Sequence, residues 1–167
     1  LISRVVYRDD IRKHGSGNGG MTNMLRSFGG KAALMTLAGD LLKTAISIFL
    51  AGFVFGFGYV HGISVQGFCY CAGLFAVLGH VFPLYYGFKG GKGVLVTSAM
   101  ALILTPIPFL MLFVLFVVIV AGSKYVSLGS VCVAMLYPVL LHGTFAVVFE
   151  SQMDGLIALS TIILACL

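Results

Sequence analysis

Two glycine clusters hold most of the residues in this chain that could grip an anion. In Gly87-Phe88-Lys89-Gly90-Gly91-Lys92-Gly93, four glycines alternate with two lysines. Glycine lets the backbone take φ > 0 and approach a ligand closely, and successive N–H groups can converge on an anion beside the two ammonium groups. The second cluster is Gly15-Ser16-Gly17-Asn18-Gly19-Gly20, which adds a hydroxyl and an amide. If the residues after it are helical, Thr22 and Arg26 share a face four positions apart, with Asn23 beside them. A guanidinium among hydroxyl and amide groups suits bidentate phosphate recognition, and a solvated basic loop with a capped helix start fits the same residues equally well. His80, one turn before Pro83, can act as an acid, a base or a phosphate donor, or can be hydrogen-bonded between helices. Thr97 and Ser98, one turn past Gly93, offer hydroxyls to the same pocket or to helix carbonyls.

The elements that position these groups are membrane helices. Of the 167 residues, 60% are hydrophobic and 9% charged, with mean hydropathy +1.10, far less charge than a soluble surface needs. Apolar runs are continuous, not alternating, and several reach the ~20 residues that cross a hydrocarbon core, so a helical bundle is expected and a β-barrel is excluded. With no Trp, the interfacial anchors fall to Tyr and Phe. The net charge of +5 concentrates near the start, in Arg4, Arg8, Arg12, Lys13, Arg26, Lys31 and Lys43. That pattern marks a cytoplasmic loop near anionic lipid; no soluble basic face exists for nucleic acid. Cys69, Cys71, Cys132 and Cys166 lie in apolar segments with neither zinc spacing nor a disulfide framework.

In chain order, a polar loop over 8–30 carries a short helix from Thr22 to Ser27. A first span follows from Ala32 to Tyr59, with Asp40 about 12 Å inside it and paired structurally with Lys43 at i+3. Gly56, Gly58, His61 and Gly62 turn on the far side. A second span from Val65 to Tyr86 exits through an aromatic belt of Phe82, Tyr85, Tyr86 and Phe88. Two crossings return the glycine-lysine turn to the side of the basic loop. Between Val94 and Val120, Thr105-Pro106-Ile107-Pro108 breaks or kinks the helix. One long kinked crossing would put Lys124 on the far side; two short passes of about 14 residues each, the favoured reading, bring it back to the basic side. Val126–Phe149 crosses with a kink at Pro138, Glu150, Gln152 and Asp154 form an acidic turn, and a last span starts at Leu156. Leu1–Tyr7 reads as the tail of an earlier apolar segment, so the chain is read as truncated at both ends. The whole of 1–167 forms one all-α, polytopic transmembrane domain with short, broken helices and glycine-rich cytoplasmic loops.

Familiar phosphate motifs do not fit. Gly15, Gly17 and Gly20 match G-x-G-x-x-G but follow no strand, and no Ser or Thr follows Lys92 as a P-loop requires. His61 and His142 have no polar company.

Asp10-Ile-Arg-Lys-His-Gly-Ser-Gly-Asn18, continuing through Thr22-Asn23-Met-Leu-Arg26, closely resembles the first motif of the bacterial acyl-phosphate:glycerol-3-phosphate acyltransferases (the PlsY type). Leu78-Gly-His80-Val-Phe-Pro83 into Phe88-Lys-Gly-Gly-Lys-Gly-Val94 resembles the second, and Lys124-Tyr-Val-Ser-Leu-Gly-Ser130 a further stretch. The resemblance implies transfer of an acyl chain from acyl phosphate to the 1-hydroxyl of glycerol 3-phosphate, giving lysophosphatidic acid and phosphate. It also implies that Ser16 and Arg26 are needed for activity and that the turn around Lys92 is the glycerol-3-phosphate site. Gly19-Gly20-Met21 departs from the family's bulkier residue, Gly and Ala, and no His-Arg-x-Asn segment follows the last span.

Residues and resemblance together predict a bacterial inner-membrane enzyme working at the cytoplasmic face, monomeric, without cofactor or metal, with acyl phosphate, glycerol 3-phosphate and membrane lipid as its partners. Ser16, Arg26 and His80 are the candidate catalytic residues. Asn18, Thr22, Asn23, Lys89, Gly90, Gly91, Lys92, Gly93 and Thr97 are the candidate binding residues. Acyl phosphate is an activated donor, so direct attack by the glycerol hydroxyl is expected, with the proton passing to a substrate phosphate or to His80. The chain has neither the His-x-x-x-x-Asp pair of coenzyme A-dependent acyltransferases nor the Asp-Gly/Ala-Arg signature of phosphatidyl-alcohol transferases. An organic-phosphate transporter is the alternative from another class, and a structural membrane subunit a third.

Overall fold

The computed structural model describes residues 2–56, 64–148 and 155–166. Among these residues there are eight α-helices and no strand: α1 (Ile2–Val6), α2 (Met21–Phe28), α3 (Gly30–Gly56), α4 (Val65–Val81), α5 (Val94–Leu104), α6 (Pro106–Ser123), α7 (Val126–Val148) and α8 (Gly155–Cys166). Gly58, Tyr59, His61 and Gly62, and the acidic turn of Glu150, Gln152 and Asp154, lie outside the described residues.

Four helical segments are long and apolar enough to cross a membrane: Gly30–Gly56, Val65–Tyr86, Pro106–Ser123 and Val126–Thr144. Large apolar side chains such as Leu42, Phe49 and Phe53 on α3 and Leu110 and Val114 on α6 are exposed, as lipid-facing positions are. Because lipid tails are as apolar as Leu, helices in a bilayer associate through close packing at small residues. Gly52 lies against the Cys69 thiol between α3 and α4, and a Cβ on Gly73 would stand 2.7 Å from Met100 Sδ, so α4 and α5 meet at contact distance there.

Helix ends follow local chemistry. The Ser64 hydroxyl accepts the Gly67 N–H at 2.9 Å and caps α4. Pro83 turns Phe82 out of the helical region and ends it. The short helix expected from Thr22 to Ser27 is α2, one residue longer at each end. The break at Thr105-Pro106 is present, with Pro106 opening α6, but the halves are unequal. α5 has 11 residues and α6 has 18, about 16 and 27 Å of helix. Lys92 and Phe116 line one cavity, whereas a continuous helix would separate them by about 36 Å. The chain therefore doubles back at Thr105, and Lys124, in a left-handed cap at φ 63°, ends α6. Pro138 sits inside an unbroken α7.

Candidate active site

The first loop is held from two directions. Asp10 caps the short 3-10 turn Ile11–Lys13 by accepting the Arg12 N–H at 3.1 Å. Its carboxylate is clasped by Arg12 at 2.6 Å and Arg4 at 2.7 Å. The Arg12 guanidinium holds this carboxyl well below the usual carboxylate range, and Asp10 in turn raises Arg12. Arg12 also donates to the Tyr86 carbonyl at 3.2 Å, and both guanidiniums lie over the Tyr86 ring, at 4.2 Å for Arg12 and 5.0 Å for Arg4. The chain before α2 is thus tied to the segment leading into the glycine-lysine turn.

The second hold is Asn23, buried on α2. Its side-chain oxygen accepts the Ser16 N–H at 3.2 Å, and its amide donates to the carbonyls of His14 at 3.0 Å, Asn18 at 2.9 Å and Ile11 at 3.4 Å. Asn23 was expected to bind substrate; its polar atoms are all engaged by the loop, so it shapes the site instead. Gly15 passes over it at φ +54°, where a Cβ would collide with the Asn23 oxygen. The loop leaves Ser16 exposed, while the Asn18 oxygen accepts the Gly20 N–H at 3.1 Å ahead of α2. Thr22 and Arg26 are exposed one turn apart on α2, and neither side chain has a partner among the described residues.

The glycine-lysine turn works differently from the expected anion nest. Gly87, Phe88 and Lys89 donate their N–H groups to Leu84, Pro83 and Tyr86, and Gly90 and Gly91 donate to the carbonyls of Val81 at 3.2 Å and His80 at 3.1 Å. Those five amides are engaged by the chain's own carbonyls. Gly90 and Gly91 are required for close approach: a Cβ on Gly90 would strike the His80 and Val81 carbonyls, and one on Gly91 the His80 ring. Lys89 and Lys92 remain exposed and free of ion pairs among the described residues, and Gly93 starts α5 at φ +76°. Across the gap, the Gly19 N–H faces the Gly90 carbonyl at 3.5 Å, which brings the two glycine turns edge to edge.

His80 supports this turn from below. Its Nδ1 lies 2.6 Å from Lys43 Nζ and 3.3 Å from Asp40 Oδ1, and Lys43 donates to Asp40 at 2.6 Å. The other edge of the ring faces the Gly91 backbone, where a Cβ would collide with it. The expected Asp40–Lys43 pair is present and His80 is its third member. Nδ1 is held by Lys43 and Asp40 and the ring packs against the Gly91 backbone, so His80 braces the turn.

Two cavities flank the turn. One, of about 320 Å³, is polar and bounded by Arg4, Arg12, Asp40, Lys43, His80 and Lys89. The other, of about 370 Å³, is an apolar groove between α4, α5, α6, α7 and α8, with Lys92, Thr97 and Ser98 at a polar end. Ser98 donates to the Val94 carbonyl at 2.8 Å, while the Thr97 hydroxyl has no partner among the described residues.

The profile of the glycerol-3-phosphate acyltransferase family matches residues 1–167. The chain belongs to that family. A glycerol-3-phosphate acyltransferase from Mycoplasmopsis agalactiae is 43% identical over 141 residues, covering 80% of this chain and 57% of that protein. One from Finegoldia magna is 42% identical, covering 78% and 61%, and one from Bacillus subtilis is 33% identical, covering 89% and 74%. The chain thus spans about three-fifths of the length of the first two relatives. A crystal structure of PlsY (YgiH), an integral membrane glycerol 3-phosphate acyltransferase in its glycerol 3-phosphate form, superposes with TM-score 0.74 at 28% identity, covering 98% of this chain and 76% of that one. The lysophosphatidic acid form gives 0.70 at 29% identity, covering 91% and 70%. The present acyltransferase-family chain is a multi-pass membrane protein, all-helical among the described residues.

Within this family member, the fold joins the Ser16–Arg26 loop to the Lys89–Gly93 turn and places Lys92 and Thr97 at the groove. Sequence reasoning missed the Asp10–Arg12–Tyr86 tie and the His80 brace. The Asp-x-Arg spacing beside an aromatic turn was the available signal for the first; nothing local links His80 to residues 37 positions earlier.

Proposed function

We propose that the protein moves a fatty acyl group from acyl phosphate to the 1-hydroxyl of glycerol 3-phosphate, yielding lysophosphatidic acid and phosphate. One observation carries this reading: the Gly19–Gly90 contact sets the two glycine turns side by side, and Lys92 of the second turn stands at the polar end of an apolar groove. The acyl chain lies in the groove, with its phosphate at Ser16, Asn18 and Thr22. Glycerol 3-phosphate is held by Lys92 and Lys89 on the turn. The names of the relatives, and the ligands named for the PlsY structures, support glycerol 3-phosphate as the acceptor and lysophosphatidic acid as the product.

The glycerol hydroxyl attacks the acyl carbonyl carbon, the new ester C–O bond forms and the bond to the phosphate oxygen breaks. Arg26 and Lys92 neutralise charge gathering on the phosphates, and holding both substrates in register supplies most of the acceleration. With His80 braced, the hydroxyl proton leaves with the departing phosphate. No cofactor or metal enters this scheme. The cationic end formed by the first loop, Lys31 and the glycine-lysine turn faces the cytoplasm of a bacterial inner membrane under the positive-inside rule, and a monomer contains every group named.

The test is product formation by purified protein in detergent, where no compartments exist. Lysophosphatidic acid appearing from acyl phosphate and glycerol 3-phosphate supports the assignment. Absence of product there, with labelled glycerol 3-phosphate crossing liposome membranes, replaces it with a transporter.

A further inference from the structure

The apolar groove reaches a buried, hydrogen-bonded cluster at its deep end. From its polar end at Lys92 and Thr97, the lining descends α5 to Ala101, while α6 contributes Phe109 nearest its start and α7 contributes Tyr137 as the last of its lining residues. All three converge on the Thr105 break. There the Thr105 hydroxyl lies 3.0 Å from the Tyr137 hydroxyl and 3.2 Å from the Ala101 carbonyl, and Tyr70 on α4 reaches Tyr137 at 3.4 Å. Tyr70, Thr105 and Tyr137 are all buried. A phenol anchored by partners from two other segments has lost the freedom to swing aside, unlike a methionine at such a site. The ring therefore stands as a fixed wall across the groove, at the opposite end from Lys92.

We propose that Tyr137 sets the acyl-chain length this protein accepts, with Ala101 and Phe109 completing the stop. This rests on the acyltransferase reading and adds its chain specificity. A chain that fits gains roughly fourfold in binding for each methylene placed in the groove. A chain that overshoots the wall must bend out into lipid and gains nothing from its extra carbons.

The experiment compares kcat/KM across lauroyl, myristoyl, palmitoyl and stearoyl phosphate for the wild type, Tyr137→Ala and Ala101→Leu. Tyr137→Ala is expected to raise the ratio of the longest to the shortest donor at least tenfold. Ala101→Leu, which adds bulk at the same level, is expected to move preference towards shorter donors. Ala101→Leu provides an arm that does not depend on the folding of Tyr137→Ala: an unchanged chain profile in either folded variant overturns the proposal. Affinities for alkyl phosphates of the same chain lengths, which lack a reactive carbonyl, read the groove without turnover. A wild type that makes no product yet shows the expected shifts in alkyl-phosphate affinity refutes the acyltransferase reading and leaves the stop intact.

Discussion

Replacing Gly91 with Ala tests whether His80 holds the turn in place. The added Cβ would lie 2.8 Å from His80 Cε1 and 2.9 Å from Cδ2, where ordinary contact begins at 3.4 Å. His80 Nε2 is closer still, so the ring or the turn must move by about an ångström or more. The ring resists, since Nδ1 lies 2.6 Å from Lys43 Nζ and 3.3 Å from Asp40. Breaking such a charge-assisted contact costs about 1.5–3 kcal/mol. Moving the turn instead displaces Lys92, and a misplacement near 1 Å is worth up to ~10²-fold. Either route raises KM for glycerol 3-phosphate by about ten- to a hundredfold with a smaller change in kcat, measured by initial rates on solubilised protein at saturating acyl phosphate. Adding His80→Ala removes the obstructing ring, so the two substitutions should combine less than additively, with a coupling of about 1 kcal/mol or more. A folded Gly91→Ala protein with wild-type KM, or strict additivity in the double variant, refutes the brace.

Other expectations follow from the same geometry. Lys92→Ala should raise KM for glycerol 3-phosphate by about ten- to a hundredfold through loss of a charge-assisted phosphate contact, and steady-state kinetics with an unchanged KM would remove Lys92 from that role. Ser16→Ala should mainly lower turnover, by up to about 10²-fold if its hydroxyl meets the reacting group; single-turnover rates equal to wild type would exclude it. Asn23→Ala leaves the Ser16 N–H and three loop carbonyls without their partner, costing about 1–3 kcal/mol, read as a lowered melting temperature. Asp10 is depressed in the folded state, so its clasp stabilises the loop fully above the unfolded carboxylate value near 4 and loses that contribution as pH falls towards the folded value. Asp10→Asn should abolish that acid-dependent loss in thermal melts taken across the window.

Much of the helical frame could be read from the chain. Continuous apolar runs located α3, α4, α6 and α7, and Pro106 after Thr105 marked the fold-back because proline opens a helix more readily than it continues one. The unequal lengths of α5 and α6 were not legible, since the position of the break sets them and hydropathy is uniform across it. Gly90 and Gly91 were singled out as anion donors, whereas the fold uses their amides for its own carbonyls. Whether an amide is free depends on which carbonyl the fold brings to it, and here the end of α4 supplies two. The same limit hid His80's partners on α3 and the four contacts of Asn23, which a linear pattern of polar residues cannot distinguish from ligand contacts.

The flank of the apolar groove has a kinetic consequence. Its rim carries Val94, Phe113 and Val131, each about half exposed, on helices whose outward faces meet hydrocarbon. A donor with a fatty tail can then arrive sideways from the leaflet without first passing through water. What governs its encounter is mole fraction in the two-dimensional phase, so diluting mixed micelles with inert detergent should slow the protein even when every bulk concentration is held constant.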